Sequence, residues 1–272
     1  MNKIIYSFDI EDYYMAICFD NQISRNKWNQ LPSKIELGLE RILEILDLYN
    51  IKATFFFLGY VAEKYPELLK KVHVKGHEIA CHGYNHNLVN NFDYKQFDQD
   101  IKRATSIIEN ITGEKVLGYR APTFSLDIED LSLIDILIDN GYRYDSSYFP
   151  FHWNQKNKKM DFSQDLFKIR DNFYEVPMTS VNFGMFNFPL GGGYSRLYPT
   201  FFNKSLISKQ INLSNIILFF HPWEFLNTHP ISPKTPHRAI RHKINIGDNL
   251  FNKLDSIMNM GLSSSRIIDL ID

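Results

Sequence analysis

Apolar, β-rich runs in this chain end, one after another, in a charged or polar side chain. Lys3 to Phe8 breaks into Asp9, Glu11 and Asp12, and His77 to Cys81 runs into His82 and His86. Val116 to Tyr119 meets Arg120, Tyr142 to Tyr144 meets Asp145, and Ile216 to Phe220 meets His221. Between the runs the apolar period changes to that of a helix, as in Ile35, Leu39, Ile42, Leu43 and Leu46, or Phe97, Ile101, Ala104 and Ile108. Strand and helix alternate about seven times, the pattern of a parallel α/β fold. In a β/α barrel the active site is built at the C-terminal ends of the strands. Polar residues placed by chance would have no reason to choose one end.

The elements read as follows. A helix starts at Pro32-Ser33, where Ser33 and Glu36 form a capping-box pattern, and Asn50 closes it. Ile51 to Phe57 is a buried strand. A second helix covers Tyr60 to Val72, with Pro66 predicting a kink or break. Asp93 to Asn110 and Asp127 to Asn140 are helices closed by Gly113 and Gly141. Phe173 to Met178 is a strand whose Pro177 implies an edge or a strand end. Gly191-Gly192-Gly193 is a flexible or tightly turned loop, and Pro199 to Asn212 a helix with proline at its first position. A loop through Pro230, Pro233 and Pro236 leads to helices at Gly247 to Met260 and Ser264 to Ile271. There is no repeat and no linker, so residues 1–272 read as one domain.

Composition narrows the function. The 272 residues are 44% hydrophobic and 15% aromatic, enough for a substantial core. With 30 basic and 31 acidic residues there is no basic field to hold a nucleic acid. Two cysteines, Cys18 and Cys81, without a Cys-x-x-Cys, exclude a disulfide scaffold and thiol-rich zinc sites. Unpaired thiols fit a reducing compartment, and the first residues read as a strand rather than a signal peptide, so a cytoplasmic location is expected. No apolar run is long enough to span a membrane. Nothing here speaks to oligomeric state.

His82 and His86 are four apart, a separation that one metal ion can bridge on one side of a helical turn. The spacing alone is not diagnostic, because His73 and His77 share it. A third, anionic ligand would complete an open site with room for water. Three carboxylates in the four residues Asp9-Ile10-Glu11-Asp12, at a strand end, can supply one.

Taken together these pieces resemble the polysaccharide deacetylases of the carbohydrate esterase superfamily. The matching stretches are Ser7-Phe8-Asp9-Ile10-Glu11-Asp12, Thr54-Phe55-Phe56, Gly76-His77-Glu78-Ile79 with His82-Gly83-Tyr84-Asn85-His86, Gly118-Tyr119-Arg120-Ala121-Pro122, Tyr144-Asp145-Ser146-Ser147 and Phe219-Phe220-His221. Glu175-Val176-Pro177, Gly192-Gly193-Tyr194-Ser195-Arg196, His221-Pro222-Trp223-Glu224-Phe225 and Arg241-His242 resemble a narrower branch found with exopolysaccharide and surface-polysaccharide biosynthesis. The resemblance implies a distorted (β/α) barrel of about seven strands. It also implies hydrolysis of the N-acetyl group of an amino sugar.

By the same resemblance His82, His86 and one carboxylate hold a single divalent ion, usually zinc. Asp12 is preferred as that carboxylate by residue type, with Glu11 the alternative by the i+2 spacing of some relatives. Asp9 is implied as the general base, Arg120 as the residue that keeps it ionised and oriented, and His221 as the acid for the departing amine. Asp145 is implied to pair with His221 and tune it. Tyr119, Pro122 and Trp223 are implied near the sugar, with core packing the competing reading. The segments Tyr148 to Phe173 and Ser180 to Tyr198 are expected to decide which sugar is taken. Cyclic-amide hydrolysis on the same fold, and a non-catalytic carbohydrate-binding relative, are the competing functions.

Overall fold

A computed structural model describes residues 1–19, 22–150 and 165–271. Part of the unread segment after Tyr148, residues 151–164, lies outside them. Strand β1 (Ile4–Ile10) is buried along its whole length, as a strand covered on both faces must be. The chain then alternates: α1 (Ile35–Leu48), β2 (Thr54–Phe57), α2 (Gly59–Lys64), α3 (Pro66–Val74), β3 (Glu78–Cys81), α4 (Tyr94–Thr112), β4 (Gly118–Tyr119), α5 (Leu131–Asp139) and β5 (Tyr144–Asp145). The second half adds β6 (Phe167–Arg170), β7 (Phe173–Glu175), a hairpin of β8 (Ser180–Phe183) and β9 (Phe186–Pro189), α6 (Gly192–Leu197), α7 (Thr200–Gln210), β10 (Ile216–Phe220), α8 (Pro236–Lys243) and α9 (Asp248–Met258).

Eight strands form one curled sheet in the order β10-β1-β2-β3-β4-β5-β7-β6. Every pairing from β10 to β7 is parallel, and only β6 runs antiparallel. The expected barrel of about seven parallel strands is therefore present, in a single mixed α/β domain. The sheet is distorted where it should close. Instead of a ladder between β7 and β10, the Oγ1 of Thr179 accepts a hydrogen bond from Ile217 N at 2.8 Å.

Several local expectations change. Pro66 breaks the second helix outright, ending α2 at Lys64 and opening α3. Ser33 makes no capping box. Its Oγ accepts from Ile35 N at 3.3 Å, and Lys34 occupies the cap without a side-chain bond. The box forms instead at Asp93 and Gln96, where α4 begins. Of the two readings of Pro177, the strand end holds, since β7 stops at Glu175, and the edge does not, because β6 folds back beside it. Pro199 caps α7 from outside rather than opening it. The terminal helix shrinks to a single 3-10 turn, Ile268–Leu270, and Ser264 forms a bridge to Ile4.

Two glycines set how the site's supports approach each other. A Cβ on Gly38 in α1 would sit 2.1 Å from the carbonyl oxygen of Pro222, so α1 presses directly on the turn after His221. The triple glycine, expected as a loop, is instead the start of α6, with Gly191 at the cap and Gly192 and Gly193 in its first turn. Gly191, at φ 91°, opens α6, and a Cβ there would come 2.7 Å from Phe219 N.

Candidate active site

β1 carries Asp9 near its end, and the chain turns at once, with Glu11 N donating to Asp9 O at 3.1 Å, so Glu11 and Asp12 follow just beyond the strand. Asp9 and Glu11 point to one side, and Asp12 does not join them. Asp9 Oδ1 accepts from Arg120 Nη1 at 2.8 Å. Arg120 is fully buried and ties three strand ends together. It donates to Ser7 Oγ at 2.9 Å and, from Nε and Nη2, to the carbonyl and hydroxyl of Ser146 at 3.1 Å each. Its guanidinium carbon lies 4.0 Å above the ring of Phe56.

The carbonyl of the same arginine orients a histidine. His82 Nδ1 donates to Arg120 O at 2.8 Å, which leaves Nε2 with its lone pair turned to the site. No helical turn carries His82 and His86. They flank an irregular loop in which Gly83 (φ 72°) and His86 (φ 54°) take left-handed conformations. Arg25 clamps that loop by donating to Asn85 O at 2.8 Å and His86 O at 2.9 Å.

Glu11 completes the group. One ligand atom each from Glu11, His82 and His86 lie within 4.8 Å of one another, all three residues buried. Glu11 Oε2 is 2.9 Å from His86 Nε2 and has no hydrogen-bond donor of its own. Burial favours its neutral form, but His86, His221 and His82 together hold its carboxyl down to about 2. An anionic oxygen and two imidazole nitrogens, converging where no protein donor fills the space, fit a divalent ion of zinc type.

Asp12, preferred by residue type, sits elsewhere. Its carboxylate accepts the backbone N–H groups of Tyr13 (2.9 Å) and Lys34 (3.1 Å), so it ties the strand end to the start of α1. The acidic member of the cluster is therefore Glu11, and Asp12 is a structural acceptor.

His221 reaches the same centre from β10. Its Nε2 is 3.3 Å from Glu11 Oε1 and 3.9 Å from Asp9 Oδ2. On its other side Nδ1 faces Glu224 Oε1 at 3.7 Å. Burial disfavours the imidazolium, yet Glu11, Glu224 and Asp9 push its pKa up to about 9. Asp145, expected beside this histidine, is not there. It accepts from Ser147 Oγ at 2.6 Å and from Ser147 N at 3.1 Å, and Ser147 Oγ in turn accepts from Ala121 N at 2.8 Å. Asp145 thus braces the segment carrying Arg120. Burial, partly opposed by hydrogen bonds with Glu175 and Ser147, pushes its carboxyl up to about 6.

The carboxylate next to His221 is Glu224, for which the sequence suggested no role. A 3-10 turn, Pro222–Phe225, folds it back under the histidine, and Arg196 Nε donates to its Oε1 at 3.1 Å. Burial works against the charge on Glu224, but Arg196 and then His221 keep it below the usual carboxylate range. The sequence signal was available in the three-residue spacing from His221, which a tight turn can close.

The residues expected to touch sugar divide. Tyr119 is core, packed edge-on against Phe97 and Tyr142 at 5.8 Å each. Pro122 is buried at the start of a 3-10 turn, and its successors Thr123 and Phe124, both at positive φ, face the cavity instead. Trp223 does line the cavity, but both faces are taken, by His221 (5.3 Å) and His242 (4.5 Å), while Nε1 points to Glu11 Oε1 at 3.4 Å. It is a wedge holding the site rather than an open stacking platform.

Asp9, Glu11, His82, His86, His221 and Glu224 open on one cavity of about 300 Å³, lined also by Phe124, Phe149 and Phe219. Those three rings meet edge to face at 5.0–5.8 Å, a dry corner beside the charged centre.

Seven parallel strands with an acid–histidine cluster at their C-terminal rim define the fold and its candidate site. Residues 11–144 match the sequence model of the polysaccharide deacetylase family, and residues 146–265 match a domain of unknown function, DUF3473. A peptidoglycan deacetylase-like protein of Gibberella zeae is 32% identical over 150 residues, covering 53% of this chain and 43% of that protein. A family 4 carbohydrate esterase from Streptomyces lividans, solved with acetate, superposes with a TM-score of 0.54 at 15% identity, covering 97% and 92% of the two chains. Puue allantoinase superposes with a TM-score of 0.64 at 14% identity, covering 99% and 88%. The polysaccharide deacetylase family is thus supported by the sequence model and by relatives, while the superpositions speak for the fold. The chain spans about two fifths of the length of the curated relatives it matches.

Proposed function

We propose that the chain is a metal-dependent hydrolase that removes the N-acetyl group from an amino sugar, in a polysaccharide or its precursor, releasing acetate. The observation that carries this reading is the meeting of Asp9, Glu11, His82, His86, Arg120 and His221 in one place, with Glu11 and the two histidines left open for a cation. A divalent ion held by those three would polarise the acetamide carbonyl and make water acidic enough to ionise near neutrality. Asp9 accepts the proton of the attacking water, and Arg120 holds it in position. The acetyl methyl rests on Phe124, Phe149 and Phe219. His221, charged at neutral pH, gives its proton to the departing amine, which would otherwise be a poor leaving group.

Imidazole and carboxylate donors suit zinc. Two unbonded cysteines support a cytoplasmic site of action, on a nucleotide- or lipid-linked sugar, and the motifs from Glu175 to His242 support surface-polysaccharide assembly. Among the described residues no helix is long and apolar enough to cross a membrane.

The test is acetate release from N-acetylated sugars, nucleotide sugars and oligosaccharides, with and without chelator. Asp9→Asn and His221→Ala should each abolish release while the fold and the metal content stay. Full activity of either variant, or indifference to chelator, overturns the proposal. Hydrolysis of a cyclic ureide without acetate release would transfer the chain to the allantoinase-like reading.

A further inference from the structure

The cavity has a second wall of opposite charge. Between Glu175 and Asp248 the sequence contains one acidic residue, Glu224, against Arg196, Lys204, Lys209, Lys234, Arg238, Arg241 and Lys243. Helix α8 concentrates this excess, reading Pro-His-Arg-Ala-Ile-Arg-His-Lys. Two of its side chains, Arg238 and Arg241, line the cavity that holds Glu11, His82 and His86.

These guanidiniums differ from the other arginines of the site. Arg120 is consumed by Asp9, Ser7 and Ser146, and Arg196 by Glu224 and the carbonyls of Ile244 and Arg241. Arg238 and Arg241 are exposed, and among the described residues neither has a carboxylate within ion-pair distance. Arg241 lies 5.4 Å over the ring of Tyr194 and packs beside Gly193. The arginine is thus laid across α6 at the cavity rim. Two planar forks with no ion-pair partner among the described residues, beside a site for a sugar, match paired anionic oxygens, and the one carboxylate of the wall behind them, Glu224, is already paired with Arg196.

Resting on the proposed deacetylase reading, we propose that Arg238 and Arg241 form an anion subsite, and that the substrate is an N-acetylated sugar bearing a phosphate or a carboxylate. Neutral glucosamine oligomers would leave both guanidiniums without a partner.

The experiment compares three substrates: chitotriose peracetylated on nitrogen only, N-acetylglucosamine 1-phosphate, and N-acetylmuramic acid. KM and kcat for acetate release are measured for the wild type, Arg238→Gln/Arg241→Gln and Arg238→Lys/Arg241→Lys. At least one anionic sugar should show a KM about tenfold or more below that of the neutral one. The Gln pair should raise that KM by a similar factor with kcat and the neutral KM unchanged, the Lys pair should restore part of it, and salt should weaken it. The phosphate and carboxylate arms separate the two sources of charge. Equal KM values for neutral and charged sugars, or equal losses on both, overturn the subsite. Calorimetric binding of the same three ligands keeps the two readings apart. Charge-selective binding lost in the Gln pair, without any acetate release, would sustain the subsite and sink the deacetylase reading. Binding without charge preference sinks the subsite alone.

Discussion

At the scale of single residues, the decisive fact is which carboxylate of β1 faces the histidines. In the turn that ends β1, Glu11 meets His82 and His86, whereas Asp12 turns to the backbone N–H groups of Tyr13 and Lys34. Glu11→Gln is therefore expected to lose the bound metal, whereas Asp12→Asn keeps it and loses about 1–2 kcal/mol of stability through its weakened backbone acceptors. Elemental analysis of the purified variants, with urea unfolding, separates the two. Metal retained in Glu11→Gln would return the ligand role to Asp12. Glu224 makes a second test at this scale. With its charge removed, Glu224→Gln leaves His221 facing only Asp9 and Glu11, and Arg196 without its counter-ion. A fall in kcat of about tenfold or more is expected, with metal content unchanged. An unaltered kcat would show that this carboxylate only anchors Arg196.

At the scale of elements, contact between α1 and the turn after His221 is close enough to test. Gly38→Ala places a methyl against the Pro222 carbonyl and must move either the helix or the turn bearing Trp223 and Glu224. A loss of about 2 kcal/mol or more is expected, with a lower kcat, read from urea melts and acetate release. Wild-type stability in that variant would mean that the contact is loose. The elements also explain what the sequence could and could not convey. Strands β2 and β10 are buried throughout and almost wholly apolar, and β1 and β3 are apolar but for Ser7, Asp9 and Glu78, so their runs stand out in the sequence. Helix α8 has almost no apolar stripe, being made of basic residues at a cavity rim, and so carried no helical signal. The β8–β9 hairpin mixes aromatic and asparagine residues on both faces and reads equally well as loop. The five polar strand ends were legible because a barrel puts its chemistry there. The carboxylate beside His221 was not: the expectation fell on Asp145, whereas a separate turn supplies Glu224.

At the scale of the whole molecule, buried neutral histidines make the fold acid-sensitive. His77 accepts from Ala53 N at 3.2 Å far from the candidate site, and burial holds its pKa down to about 4. An unfolded chain takes up that proton near pH 6.5 and the folded one only near 4, so stability is lost as pH falls between those values. The contribution approaches roughly 3 kcal/mol at the acid end, at about 1.4 kcal/mol per unit. Thermal melts from pH 7 to 4.5 should decline less steeply for His77→Gln than for the wild type, and parallel slopes would remove His77 as the cause.

The sheet order has a further consequence for how the molecule is made. β1 lies between β2, some fifty residues away, and β10, over two hundred residues away. A ribosome that has released the two histidines and every β1 carboxylate has not yet released the imidazole opposite them. Until it does, one flank of the first strand is an unpaired edge, open to wrong partners. The candidate site and the riskiest seam of the fold are completed by the same late-arriving strand.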